Sequence, residues 1–259
     1  MYKILIALIL GLIPLNSFAG TIDQNVPDSK YVEYGDKHES VVKIEGNNDD
    51  IKGSYFYASA IIIKPRWILT AAHVIKNSKQ CRIVIGKKTI PIDFIAHHSS
   101  YEENNFGKYD IGIGHLEQDA DIGFYPELYT ENDEVGKICS MAGFGVTGNF
   151  QSSERKVDDL KRGGSNIVDA IDRDLLICSL KDGQRTSLEF LICHGDSGGG
   201  LFIDRKLAGI HSCVLADDKK LDSNINDWSG HTRVSLFTNW IREAIDAIEK
   251  AKKEAQDKQ

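Results

Sequence analysis

The chain predicts an all-β protein: two consecutive sets of antiparallel strands, read as two barrels with a cleft between them, followed by a C-terminal α-helix. Three observations carry this. Short β-rich runs recur between turn-rich links such as 46–50 and 104–107, a spacing typical of antiparallel barrels or sandwiches. The runs fall into two groups, 41–44, 55–63, 67–69, 82–85, 89–95 and 111–116, then 138–142, 175–180, 200–203, 207–214 and 233–236. Only near the end does the period change, where Ile241, Ala244, Ile245 and Ile248 recur at three- and four-residue spacing on one helical face.

Taken in order, residues 1–19 read as an export leader: Lys3, an apolar run over 4–13, then Ser17, Phe18 and Ala19 as a small-x-small cleavage signature before Gly20. The run is too short to span a bilayer comfortably and no later segment is long and apolar enough. The mature chain is therefore expected to be secreted or periplasmic, without stable membrane insertion. Residues 20–30 are polar, contain Pro27 and Asp28, and read as a short propeptide before a domain over 31–250. Within it, barrel one is expected over about 41–130, barrel two over about 135–236 and the helix over 237–255. The charged stretch 150–173, with Gly163 and Gly164, reads as an exposed connection in which 166–168 has strand character. The Lys/Glu-rich end of the helix reads as solvated.

Composition narrows the chemistry. With 31 basic against 38 acidic side chains and a net charge of −7, nothing points to a nucleic-acid partner. The eight histidines lack metal-ligand spacing and neither C-x-x-C nor H-E-x-x-H occurs, so no metal or other cofactor is expected. Five cysteines, an odd number, leave at least one thiol without an internal partner; one or two disulfides are expected, with the pairing open.

The stretch Cys193-His194-Gly195-Asp196-Ser197-Gly198-Gly199-Gly200 sets a serine among glycines. Such a turn visits backbone angles that a Cβ forbids and exposes N–H groups to an anion, which is what acyl transfer needs. A serine hydroxyl is a poor nucleophile without a base and a group to orient it. His73 stands among small residues at the end of the apolar run that starts at Ala60, and Asp110 heads an alternating strand. Each alone is an ordinary core or capping residue; together, in the order His, Asp, Ser, they make a candidate triad.

In Thr70-Ala71-Ala72-His73, Asp110-Ile111-Gly112-Ile113 and Gly195-Asp196-Ser197-Gly198-Gly199 the chain resembles the chymotrypsin/trypsin-like serine peptidases, over about 31–241. Further landmarks are 97–101, Ala142-Gly143-Phe144-Gly145, 207–212 and Asn239-Trp240-Ile241. The resemblance implies two six-stranded antiparallel barrels, catalysis by His73, Asp110 and Ser197, an oxyanion hole at the N–H groups of Gly195 and Ser197, and Ser212 as a further donor to Asp110. It implies a zymogen in which a cut before Tyr31 by an activating protease frees an amine that pairs with Asp196. It also implies a monomer acting on protein or peptide substrates.

Several positions depart from the family pattern. Gly200 replaces a proline, and Val74 and Ile203 stand where cysteines are expected. Leu191 occupies the place of the aspartate that receives Lys or Arg, so cleavage after basic residues is disfavoured. By resemblance the remaining pocket positions are Ile192, Val214 and Ser229; Val214 in place of a glycine implies a shallow pocket for small or medium apolar side chains. His211, with His231 beside it, offers the alternative of a pocket for glutamate. Two other readings of the whole chain are a catalytically silent binding relative and an esterase on the same site.

Overall fold

The computed structural model describes residues 20–48, 55–105, 107–152, 154–156, 158–180 and 185–257; the leader reading over 1–19 lies outside the described residues. The described chain starts with a two-residue strand β1 (Thr21–Ile22) and a helix α1 (Asp28–Asp36). It then builds β2 (Val41–Asn48), β3 (Tyr55–Lys64), β4 (Trp67–Thr70), the one-turn helix α2 (Ala72–Ile75), β5 (Ser78–Ile85), β6 (Lys88–His97) and β7 (Gly112–Leu116). The six strands β2 to β7 close into an antiparallel barrel of order β2-β3-β4-β7-β6-β5. Strand β3 is buried continuously from Ala58 to Ile63 rather than on alternate residues. One of its faces fills barrel one and the other meets barrel two, where Ile61 approaches Gly200. An apolar run is what a strand covered on both faces requires.

Barrel two comprises β8 (Ile138–Gly143), β10 (Arg162–Asp172), β11 (Leu175–Ser179), β13 (Gly200–Ile203), β14 (Lys206–Ala216) and β15 (Asp227–Arg233), closed in the order β10-β11-β15-β14-β13-β8. Between them, β9 (Gly148–Asn149) and β12 (Phe190–Leu191) flank β1 in a small outer sheet. Helix α3 (Thr238–Gln256) lays Ile241, Ile245 and Ile248 into the core of barrel one, the face its periodicity marks.

Three expectations need correction. The stretch 150–173 is not an exposed connection throughout, because β10 is an eleven-residue strand of barrel two. Its first residue, Arg162, is fully buried and doubly ion-paired to Asp28 and Asp158, so a charge that reads as surface is neutralised inside. Gly163 lets the chains close up, since a Cβ there would sit 2.5 Å from the Met141 carbonyl oxygen. The last strand of barrel two spans Asp227–Arg233, and 234–236 is a 3-10 turn.

The third correction concerns the N-terminus. Residues 20–36, whose polar composition suggests no core, pack into the fold. Thr21 and Ile22 pair antiparallel with Leu191 and Phe190 and parallel with Gly148 and Asn149. Tyr31 lies in α1 with no exposed surface, its hydroxyl accepting from Asp23 N at 3.1 Å, and Asp28 clamps Arg162 through two 2.6 Å hydrogen bonds.

Candidate active site

The base and the acid come from barrel one. Strand β4 ends at Thr70, and the short helix α2 turns His73 back toward the barrel interface. Asp110 stands just before β7 and is 2 % exposed. Its carboxylate accepts from His73 N at 3.0 Å, from the Ser212 hydroxyl at 2.6 Å, and meets His73 Nδ1 at 2.7 Å. The contact to Nδ1 fixes the tautomer that leaves Nε2 free to accept a proton. Burial works against a charged imidazole, but the Asp110 charge outweighs it and holds the His73 pKa above its ordinary value. For Asp110, burial is likewise overcome by His73 and Ser212, and its pKa falls.

Tyr109, immediately before the acid, has φ +54°, an unusual angle for an aromatic residue. It is held there by stacking on His98, with ring centroids 4.8 Å apart.

The nucleophile candidate comes from barrel two. Ser197 sits in the loop between β12 and β13, and Gly195 and Gly198 both have positive φ, +87° and +80°. At Gly198 a Cβ would fall 2.0 Å from Thr70 Oγ1 and 2.2 Å from the Ser59 carbonyl oxygen, so only glycine permits this approach of the barrels. Asp196 N donates to Cys193 O at 3.1 Å and Gly198 N to His211 O at 2.8 Å. Among the described residues, neither the Gly195 nor the Ser197 N–H is so committed. Gly195, Ser197, His73, Asp110 and Ser212 all line one cleft of about 460 Å³ between the barrels. His73 and Ser197 share no hydrogen bond in this structure, and catalytic contacts of this kind tighten when substrate binds.

Ser59 is a residue that the sequence reading missed. Its backbone N donates to Ser197 O at 2.9 Å, its hydroxyl donates to Gly195 O at 3.1 Å, and the same hydroxyl accepts from Phe144 N at 2.9 Å. It thus ties barrel one to both sides of the anion-hole turn. The signal available in sequence was a lone serine inside an apolar strand.

The pocket residues divide. Ile192 and Val214 line the cleft, with Leu221 and the thiols of Cys193 and Cys213. Ser229 stands behind the wall, where its hydroxyl accepts from Ile192 N at 2.9 Å. Leu191 is buried in β12 against β1 and is not among the cleft-lining residues. His211 and His231 are also outside the cleft: both are fully buried, paired Nδ1 to Nδ1 at 2.9 Å. Burial pushes both below the ordinary value, His231 to about 3. A neutral pair in opposite tautomers satisfies that contact and carries no charge.

Asp196 is fully buried. Its carboxylate accepts from Gly145 N, Cys193 N and Gly20 N, each at 2.8 Å. Tyr31 lies in α1 with its hydroxyl on Asp23 N and makes no hydrogen bond to Asp196 in the uncut chain. All five cysteines are free thiols, with Cys139 Sγ 3.8 Å from Cys178 Sγ. Among the described residues, no group of His, Cys, Asp or Glu is arranged to hold a metal ion, and no helix is long and apolar enough to cross a membrane.

A family model described as Trypsin matches residues 35–241. Chymotrypsin-like elastase family member 1 of Bos taurus is 28% identical over 219 residues, covering 74% of this chain and 79% of its own. Submandibular glandular kallikrein-9 of Rattus norvegicus is 26% identical over 227 residues, covering 73% and 81%. Among solved structures, HL collagenase superposes with a TM-score of 0.68 at 17% identity, covering 82% of this chain and 96% of that one. Neuropsin, a serine protease of mouse brain, gives 0.64 at 18% with the same coverage. At these identities the structural likeness speaks for the fold alone.

Proposed function

Since the chain belongs to the trypsin family and is thereby a serine endopeptidase acting on peptide substrates, we propose that His73, Asp110 and Ser197 carry its chemistry. One observation carries this reading: Asp110 holds His73 at 2.7 Å on the wall of the cleft that also contains Ser197 and Gly195. In the proposed reaction, Nε2 of His73 takes the Ser197 proton as Oγ bonds to the scissile carbonyl carbon. Asp110 stabilises the resulting imidazolium. The carbonyl oxygen becomes an oxyanion facing the Gly195 and Ser197 N–H groups, where one lost donor costs about 3 kcal/mol of barrier. The C–N bond then breaks, the amine leaves with the proton from His73, and the acyl-serine remains. Water attacks that ester by the same route and releases the acid.

For specificity, the apolar wall of Ile192, Val214 and Leu221 supports cleavage after small or medium apolar side chains. The acidic alternative finds no support in His211 and His231, which are neutral and sealed away from the cleft. The leader signature supports export, with secretion or periplasmic residence both open to a leader-bearing chain.

The test is Ser197→Ala. It is expected to abolish peptide turnover and labelling by an organophosphonate probe while the fold persists; retained turnover overturns the triad. Peptide-library profiling tests the pocket, with cleavage after Ala, Val or Leu expected and strong cleavage after Glu overturning that assignment.

A further inference from the structure

We propose that the α-amine freed at Gly20 when the leader is removed is the cation that balances buried Asp196, so that export itself, with no second cut, completes the anion-hole loop. This rests on the peptidase reading above and adds which bond is cut to switch the enzyme on.

Two independent observations meet at this residue. The sequence places a small-x-small cleavage signature directly before Gly20. The fold delivers the Gly20 nitrogen to 2.8 Å from Asp196 Oδ2, in a pocket where a Cβ would overlap the Phe190 ring at 2.0 Å and where φ is +43°. Glycine is the residue that such a position accepts.

The electrostatics give the cut a purpose. Among the described residues the donors to the Asp196 carboxylate are the neutral N–H groups of Gly20, Gly145 and Cys193, and a fully buried carboxylate without a cation is costly. The buried guanidinium nearby, Arg162, is committed to Asp28 and Asp158. Burial accordingly pushes the Asp196 pKa up to about 7. Hydrolysis of the bond between Ala19 and Gly20 by an export leader peptidase transfers the water oxygen to the Ala19 carbonyl, breaks the C–N bond and protonates the Gly20 nitrogen. The nitrogen then carries a positive charge at neutral pH. Neither partner has to travel.

A later cut before Tyr31 fits poorly. It would remove β1 from between β9 and β12, the Asp28 carboxylate from Arg162, and the Thr21 hydroxyl from Ser223 O, which it reaches at 2.7 Å. The strand it would discard pairs with β12, which leads directly into the loop that bears Asp196.

The experiment compares two mature chains released from an N-terminal fusion, one starting at Gly20 and one extended by Ala19. Each is assayed for peptide turnover, organophosphonate labelling and thermal unfolding, and the active exported protein is sequenced from its N-terminus. The Gly20 chain is expected to turn over substrate, and the extended chain to lose about 100-fold or more in kcat/KM, the scale of a lost anion-hole donor. In the Asp196→Asn background the difference between the two chains is expected to vanish, which separates this ion pair from general misfolding of the extended form. Equal activity of the two chains, or an active exported form beginning at Tyr31 or Val32, overturns the inference while leaving the peptidase intact. If both chains fold and neither labels, the peptidase reading itself falls and takes the inference with it.

Discussion

The two barrels share a topology and differ in what fills them. Barrel one is packed with Ile44, Ile61, Ile68, Leu69, Ile83 and Ile113, all fully buried, and each such side chain contributes about 1.5–3 kcal/mol. Barrel two and its surround bury Arg162, Asn166, Asp196, His211, Ser229 and His231 with no exposed surface. A polar interior is stable only when each group finds its partner. Barrel one presents the proposed base and acid on an apolar frame that α3 and barrel-two side chains such as Phe202 and Ile210 complete. Barrel two presents the proposed nucleophile on a frame that depends on residues 20–36. On the proposed reading, the His73–Asp110 pair is already formed, whereas the anion-hole loop depends on what meets Asp196.

The largest effect that sharpens this contrast is expected at Asp110. The change Asp110→Asn removes the charge that orients His73 and is expected to lower kcat about 10⁴-fold. In the parent enzyme, the acid limb of kcat/KM against pH should have its midpoint above the ordinary histidine value, because Asp110 holds the His73 pKa up. Activity is lost as pH falls through that midpoint, and the limb should move down in Asp110→Asn. A midpoint unchanged by the substitution would separate the limb from His73.

Next comes Arg162→Met, which strands two carboxylates at the junction of α1 and β10. Asp28 and Asp158 are 49% and 20% exposed, so the loss is that of charged hydrogen bonds, about 1.5–3 kcal/mol, read as a lower melting temperature. Ile68→Val in barrel one should cost about 0.5–1.5 kcal/mol. Similar losses from the two would remove the distinction between the frames.

A chain that retains residues before Gly20 offers a test in pH. With the Asp196 pKa raised from 3.8 to about 7, the folded state binds a proton that the unfolded state has released across that window. Its stability should therefore fall as pH rises from about 4 to about 7, then level off. The chain that starts at Gly20 should show a shallower fall. Thermal melts across this range measure it.

The smallest effect is expected at Ser59→Ala. One hydrogen bond to Gly195 O is lost and Phe144 N is left without its acceptor, worth about 1 kcal/mol, or roughly fivefold in kcat with KM little changed. A fall in melting temperature with unaltered kcat would make Ser59 a structural link only.

The runs over 55–63 and 67–69 announced β3 and β4 because they combine β-branched content with burial on both faces. Helix α3 was equally legible, since its stripe of Ile241, Ile245 and Ile248 follows from the helical period. Strand β10 was legible only at 166–168, because its charged and glycine-rich start looks like surface until Asp28 and Asp158 are found around Arg162. The tyrosine at position 31 read as a new N-terminus by local resemblance, whereas α1 buries it.

By itself, the sequence determined the motifs around residues 73, 110 and 197 and the strand-rich character of the chain. These follow from local demands, such as a glycine where a turn needs positive φ or an apolar run where both faces are covered. Tertiary structure decided which nitrogen meets Asp196, that His211 and His231 pair out of reach of the cleft, and that Ser59 ties the barrels together. Gly20 meets Asp196 across 176 positions and Ser59 meets Gly195 across 136, while His211 and His231 meet across the β14–β15 pair of barrel two; over such separations neighbouring residue types carry no record of the partner.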